Sequence, residues 1–63
     1  MEDILKKVIG KTESDARKIA QESGYDSRVT VEDGIAYIVT ADFRTDRVNF
    51  TLTKGIVTDA SIH

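Results

Sequence analysis

In this 63-residue chain two stretches alternate polar and apolar residues, and sixteen residues lie between Val31, the last apolar position of the first, and Val48, the first of the second. "SRVTV" places Val29 and Val31 on one face. "RVNFTL" places Val48, Phe50 and Leu52 on one face and Asn49, Thr51 and Thr53 on the other. Period two is the signature of half-buried strands. A compact domain rarely leaves so long a connection without structure of its own unless that connection has a task. A chain of this size buries only about 60% of its unfolded surface. The core is therefore small, and a deep substrate pocket has little to support it, which argues against an enzyme.

The connection has three parts. "EDG" at 32–34 reads as a turn. "IAYIVT" at 35–40 is apolar and β-branched, and on pattern alone it reads as a strand. "ADFRTDRV" at 41–48 then sets two aspartates and two arginines beside the next strand. One short helix covers little more than two or three strands, so part of this segment is expected outside the sheet, extended and exposed.

That helix is "GKTESDARKIAQESG". The Thr12 hydroxyl can cap the free backbone N–H at Ser14 or Asp15. Glu13 and Asp15 place negative charge at the positive end of the helix dipole. Ala16, Ile19, Ala20 and Ser23 make a narrow stripe at helical spacing, and Gly24 suits the left-handed residue that ends a helix. The spacing predicts a helix over about 13–23. Before it, Ile4, Leu5, Val8 and Ile9 form an apolar lead-in that fits either a helical turn or an extended segment packed on the core. At the other end, "TKG" at 53–55 reads as a turn with Gly55 at positive φ, followed by a short strand from Ile56. Strands are expected at about 28–32, 47–53 and 56–60, with a loop over about 34–46. The whole is a single α+β domain, 1–63, with one helix on a small sheet.

Composition removes several function classes. There is no cysteine, so disulfides, thiol nucleophiles and cysteine metal sites are out. The formal charge is −2 with both signs interspersed, which does not suit a nucleic-acid or anionic-membrane partner. No apolar run approaches the roughly 20 residues of a membrane span. "MEDILKKVIG" lacks the long apolar core of a signal peptide, and the compartment stays open. His63 has no nearby Ser–Asp pairing for a triad. The spacing of Glu32, Asp33, Asp42 and Asp46 fits no calcium loop. No metal or cofactor is expected. On pattern alone, "DFRTDR" is most simply a solvated turn. Asp46 reads as solvent-facing or as balance for Arg44, and Tyr37 and Phe43 as core aromatics or loop contacts, with contact favoured for Phe43.

Two blocks carry a resemblance. "VIGKTESDARKIAQ" and "IVTADFRTDRVNF" are similar to the helix start and the reactive-site segment of the potato inhibitor I family, the eglin-type serine protease inhibitors, in the same order and at nearly the same separation. The resemblance covers roughly residues 8–58, and the second block is the more specific. It implies a helix on a small mixed sheet, with a long exposed loop joining two parallel strands and binding a serine protease as a substrate would. By carry-over the scissile bond is Ala41–Asp42. Val39 and Thr40 line the subsites before it, and Phe43 and Arg44 those after it. Arg47 matches an arginine that rises from the strand beneath and bonds Thr40 and Asp42. Asn49 stands where many members have a second supporting arginine, and the chain ends "DASIH" where members carry a proline-containing strand and a terminal glycine. Both departures predict a less tightly held loop, with weaker inhibition or faster cleavage.

Without disulfides the loop must be held by polar bonds. Charge-assisted hydrogen bonds contribute about 1.5–3 kcal/mol each, and a pre-ordered loop loses less freedom on binding. A held loop also keeps the cleaved amine beside the acyl group, at effective concentrations on the order of 10⁵ M or more. Ala41 suits a small or shallow specificity pocket, as in elastase-like or subtilisin-like proteases, with chymotrypsin-like enzymes also within the class. A monomer is expected. The alternative is a non-inhibitory protein-binding module using residues 36–46.

Overall fold

The structure is a computed structural model that describes residues 3–40 and 42–63. Two helices, α1 (Asp3–Val8) and α2 (Glu13–Glu22), precede four strands: β1 (Asp26–Glu32), β2 (Ile35–Ala36), β3 (Arg47–Thr53) and β4 (Ile56–Ile62). The strands form one mixed sheet in the order β2-β1-β3-β4. Only the β1–β3 pair is parallel. The fold class is α+β, with two helices rather than the single one expected.

The lead-in is helical because Ile4 and Val8, one turn apart, both enter the core, whereas Ile9 remains half-exposed. In α2 the Thr12 hydroxyl accepts from the backbone N–H of Asp15 at 3.2 Å. At the other end Gly24 has φ +83°. There the N–H of Tyr25 donates to the Ala20 carbonyl and that of Gly24 to Gln21, the paired bonds that close a helix on a left-handed residue.

Two hairpins turn on the same chemistry. Asp33-Gly34 and Lys54-Gly55 all have positive φ, between +52° and +82°, as the tight turn matching strand twist requires. The Asp33 carboxylate accepts from the Lys54 backbone N–H at 2.7 Å and ties the two turns together. The first turn creates β2, which the expected loop over 34–46 did not include. It pairs with the end of β1 through Val31↔Ala36 and Glu32↔Ile35. β1 starts earlier than the expected 28–32. It also carries a register shift between Val29 and Val31, so Val29 packs against the core while Val31 lies outside it.

β3 is central and buried on both faces. Val48, Phe50 and Leu52 meet Ile4, Val8, Ala16, Ala20 and Val57 on the helical side. Arg47 and Asn49 face the other way by strand alternation, yet they are 7% and 2% exposed. On that face Arg47 is met by Asp42 and the His63 main chain, and Asn49 by Arg28 and the end of β4. Parallel neighbours need a crossover of about a dozen residues or more, usually a helix. Here the crossover is residues 33–46, and its described residues beyond Ala36 lie in no helix or strand.

Candidate functional site

Among the described residues the crossover carries the most exposed large apolar side chains. Ile38 is 103% exposed and Phe43 87%, with Ile35, Tyr37 and Val39 also open to solvent. Ala41, and with it half of the expected Ala41–Asp42 bond, lies outside the described residues. The residues that flank it, Thr40 and Asp42, are joined by a hydrogen bond from the Thr40 hydroxyl to the Asp42 carboxylate.

Two arginines hold this pair from neighbouring strands. From β3, Arg47 donates through Nη2 to the Asp42 carbonyl at 2.8 Å and through Nη1 to its carboxylate at 3.3 Å. It does not bond Thr40, which corrects the expectation that it grips both. Thr40 is met instead from β1: Arg28 Nη1 donates to its hydroxyl at 3.4 Å. The reason lies in strand register, since Arg28 stands directly opposite Asn49 across the parallel pair. Asn49 is too short to reach the loop. Its Oδ1 accepts from Arg28 Nε, and its Nδ2 donates to the main-chain oxygens of Ser61 and His63 at 3.3 and 3.2 Å. Arg47 also reaches the His63 oxygen, at 3.2 and 3.1 Å. The "DASIH" segment thus supplies an acceptor beneath the loop. Among the described residues no buried side-chain nitrogen or oxygen lacks a partner.

The far side of the loop has its own anchor. Arg44 donates to Asp26 at 2.6 Å and to both oxygens of Asp46 at 2.9 Å. Its guanidinium is turned back to β1 rather than outward, and Asp46 is its counter-ion. Asp46 is held below the usual carboxylate range mainly by these bonds from Arg44. Phe43 projects outward and meets the His63 ring edge-on, centroids 6.3 Å apart. Tyr37, open in sequence, bonds Glu32 through its hydroxyl. Val39 lines a cleft of about 330 Å³ together with Arg28, Thr40, Asp42, Phe43 and His63.

Asp42 titrates below its ordinary value, chiefly because the Thr40 hydroxyl bonds its ionised form and secondarily because Arg47 is near. A depressed folded-state pKa means that the ionised carboxylate strengthens the loop at neutral pH, and that this contribution is lost as pH falls through the depressed value. The Thr40–Asp42–Arg47 contacts are therefore expected to persist down to about pH 4, the ordinary aspartate range, and to be lost below it. Carboxyl NMR titration measures this directly. An Asp42 midpoint at or above the ordinary value would remove the carboxylate from the holding network.

Among the described residues no group of three or more His, Asp or Glu side chains is placed to hold a metal ion, and no helix is long and apolar enough to cross a membrane. No family model matches the chain, and no curated protein matches it.

Proposed function

We propose that residues 37–46 form a protease-binding loop and that the protein is a serine protease inhibitor acting in the manner of the potato inhibitor I family. One observation carries the reading. The side chains on either side of residue 41 are bonded to each other and to arginines rising from two adjacent strands. A solvated turn has no need of such a frame. A substrate-like loop does, because its inhibition depends on being ordered before binding and staying ordered after cleavage. The scissile bond is Ala41–Asp42, and the methyl group of Ala41 selects an elastase-like or subtilisin-like pocket. A missing methylene in a larger pocket costs about 1–3 kcal/mol. Because Arg44 is engaged by Asp26 and Asp46, Phe43 is the leading contact after the bond.

The test is titration against elastase, subtilisin, chymotrypsin and trypsin. Inhibition of elastase or subtilisin is expected, with a single slow cut at Ala41–Asp42 and no effect on trypsin. Absence of inhibition of all four at micromolar concentration, or rapid cutting at that bond, would end the reading. A second reading draws on the apolar side chains Ile35, Tyr37, Ile38 and Phe43, whose exposure also suits a non-inhibitory protein-binding module. It is favoured if the loop resists all four enzymes without inhibiting any.

A further inference from the structure

We infer that Arg28 is a positioning residue for the loop. It holds the chain before residue 41 through Thr40, with buried Asn49 serving to aim it, while Arg47 holds the chain after residue 41. The inference deepens the inhibitor reading and takes its functional meaning from it.

Val39, Thr40, Asp42 and Phe43 line a cleft with Arg28 and His63, and the loop places none of its described residues in the buried core. Its position depends on polar bridges. On the side after residue 41 the bridge is Arg47 to the Asp42 carbonyl and carboxylate. On the side before it, the bridge from the sheet is Arg28 Nη1 to the Thr40 hydroxyl. A long guanidinium over a cleft has many rotamers, and fixing one requires a second contact. Asn49 supplies it by accepting from Nε. Asn49 is itself fixed, 2% exposed and donating to two main-chain oxygens of the β4 end. The Thr40 hydroxyl accepts from Arg28 and donates to Asp42, so the chain of bonds runs Asn49–Arg28–Thr40–Asp42–Arg47 and spans residue 41 by side chains alone. If the bond after Ala41 is cut, each new end remains tied to its own strand. These strands, β1 and β3, are hydrogen-bonded neighbours. Religation then depends on both arginines.

The test separates aiming the loop from stabilising the fold. Arg28→Gln places an amide nitrogen where Nε stands and keeps the bond to Asn49, but removes Nη1. Thr40→Val removes the receiving hydroxyl without touching Asn49. Loop order is read as the rate of nicking within residues 38–43 by dilute thermolysin, a metalloprotease outside the serine class, and global stability as the urea midpoint. Arg28→Gln is expected to speed nicking about tenfold, the worth of one modest charge-assisted bond. It should have no effect in the Thr40→Val background, and the midpoint should stay unchanged. Wild-type nicking in Arg28→Gln, or an equal effect in both backgrounds, would overturn the assignment. The readout needs no inhibited target. A protease panel without inhibition would therefore remove the inhibitor reading and leave the role of Arg28 to be decided by the cycle.

Discussion

Arg47→Ala is expected to turn the protein from an inhibitor into a substrate, with inhibition weakened about a hundredfold or more and cutting at Ala41–Asp42 accelerated by a similar factor. The side chain is 8% exposed. It donates to the Asp42 carbonyl, the Asp42 carboxylate and, twice, to the main-chain oxygen of His63. Charge-assisted bonds contribute about 1.5–3 kcal/mol each. The Asp42 carboxylate is half-exposed, so its share is discounted for solvent screening, whereas the bond to the carbonyl is the short one. A loss of roughly 3 kcal/mol in loop order corresponds to about two decades. Arg47→Lys keeps the charge but cannot make the forked contact to two parts of Asp42 and to His63 at once, so it should fall between wild type and alanine. Inhibition constants, with the cleaved fraction at equilibrium, measure both effects. Unchanged inhibition by the alanine variant would show that Arg47 does not hold the loop.

How far the sequence foretold this arrangement depends on how local each signal is. Helix α2 was legible because its limits are written in single residues, a capping threonine and a glycine that adopts positive φ. Helix α1 was ambiguous because six residues with two buried positions fit a helical turn and an extended lead-in equally well. Strand β2 was hidden by its length of two residues. Its signal is the Asp33-Gly34 pair, which forms the same kind of tight turn as Lys54-Gly55 and so permits a hairpin immediately after β1.

The site divides along the same line. Thr40, Asp42 and Arg47 lie within eight residues of one another, and their chemistry could be read from the segment itself. Arg28 could not. In sequence it is the polar member of an alternating strand. Its partnership with Asn49 exists only through the parallel register of β1 and β3, which no local pattern states. Resemblance directed attention to position 49 as the second grip, and the asparagine there looked like a loss of support. In three dimensions the grip stands one strand over, and Asn49 orients it. Arg44 was expected to line a subsite after the bond, with balance by Asp46 as one reading; the Asp46 pairing is present, and Asp26 joins it. The signal available was Asp46 two residues on, which in extended chain lies on the same side.

Phe50→Ala should have the largest effect on stability and a different functional signature. Phe50 is the largest fully buried side chain, at the middle of the central strand, with Val29 and Ala60 as its lateral neighbours. Truncating a buried phenylalanine costs about 3–5 kcal/mol. A domain of this size is held by about 3–9 kcal/mol, at the usual per-residue stability. The variant is therefore expected to be substantially unfolded at 37 °C, with a thermal midpoint lowered by tens of degrees or no transition at all. The pattern of proteolysis then distinguishes two kinds of failure. Arg47→Ala should keep its unfolding transition and be cut within residues 38–43, because only the crossover is released. Phe50→Ala should be cut throughout, because the sheet that presents both Arg28 and Arg47 no longer persists. A Phe50→Ala protein that kept its midpoint would mean that the core tolerates the cavity. One that lost its midpoint yet was still cut only within the crossover would mean that the loop does not depend on the sheet beneath it. The rigidity ascribed to the arginines would then have to come from within the loop itself.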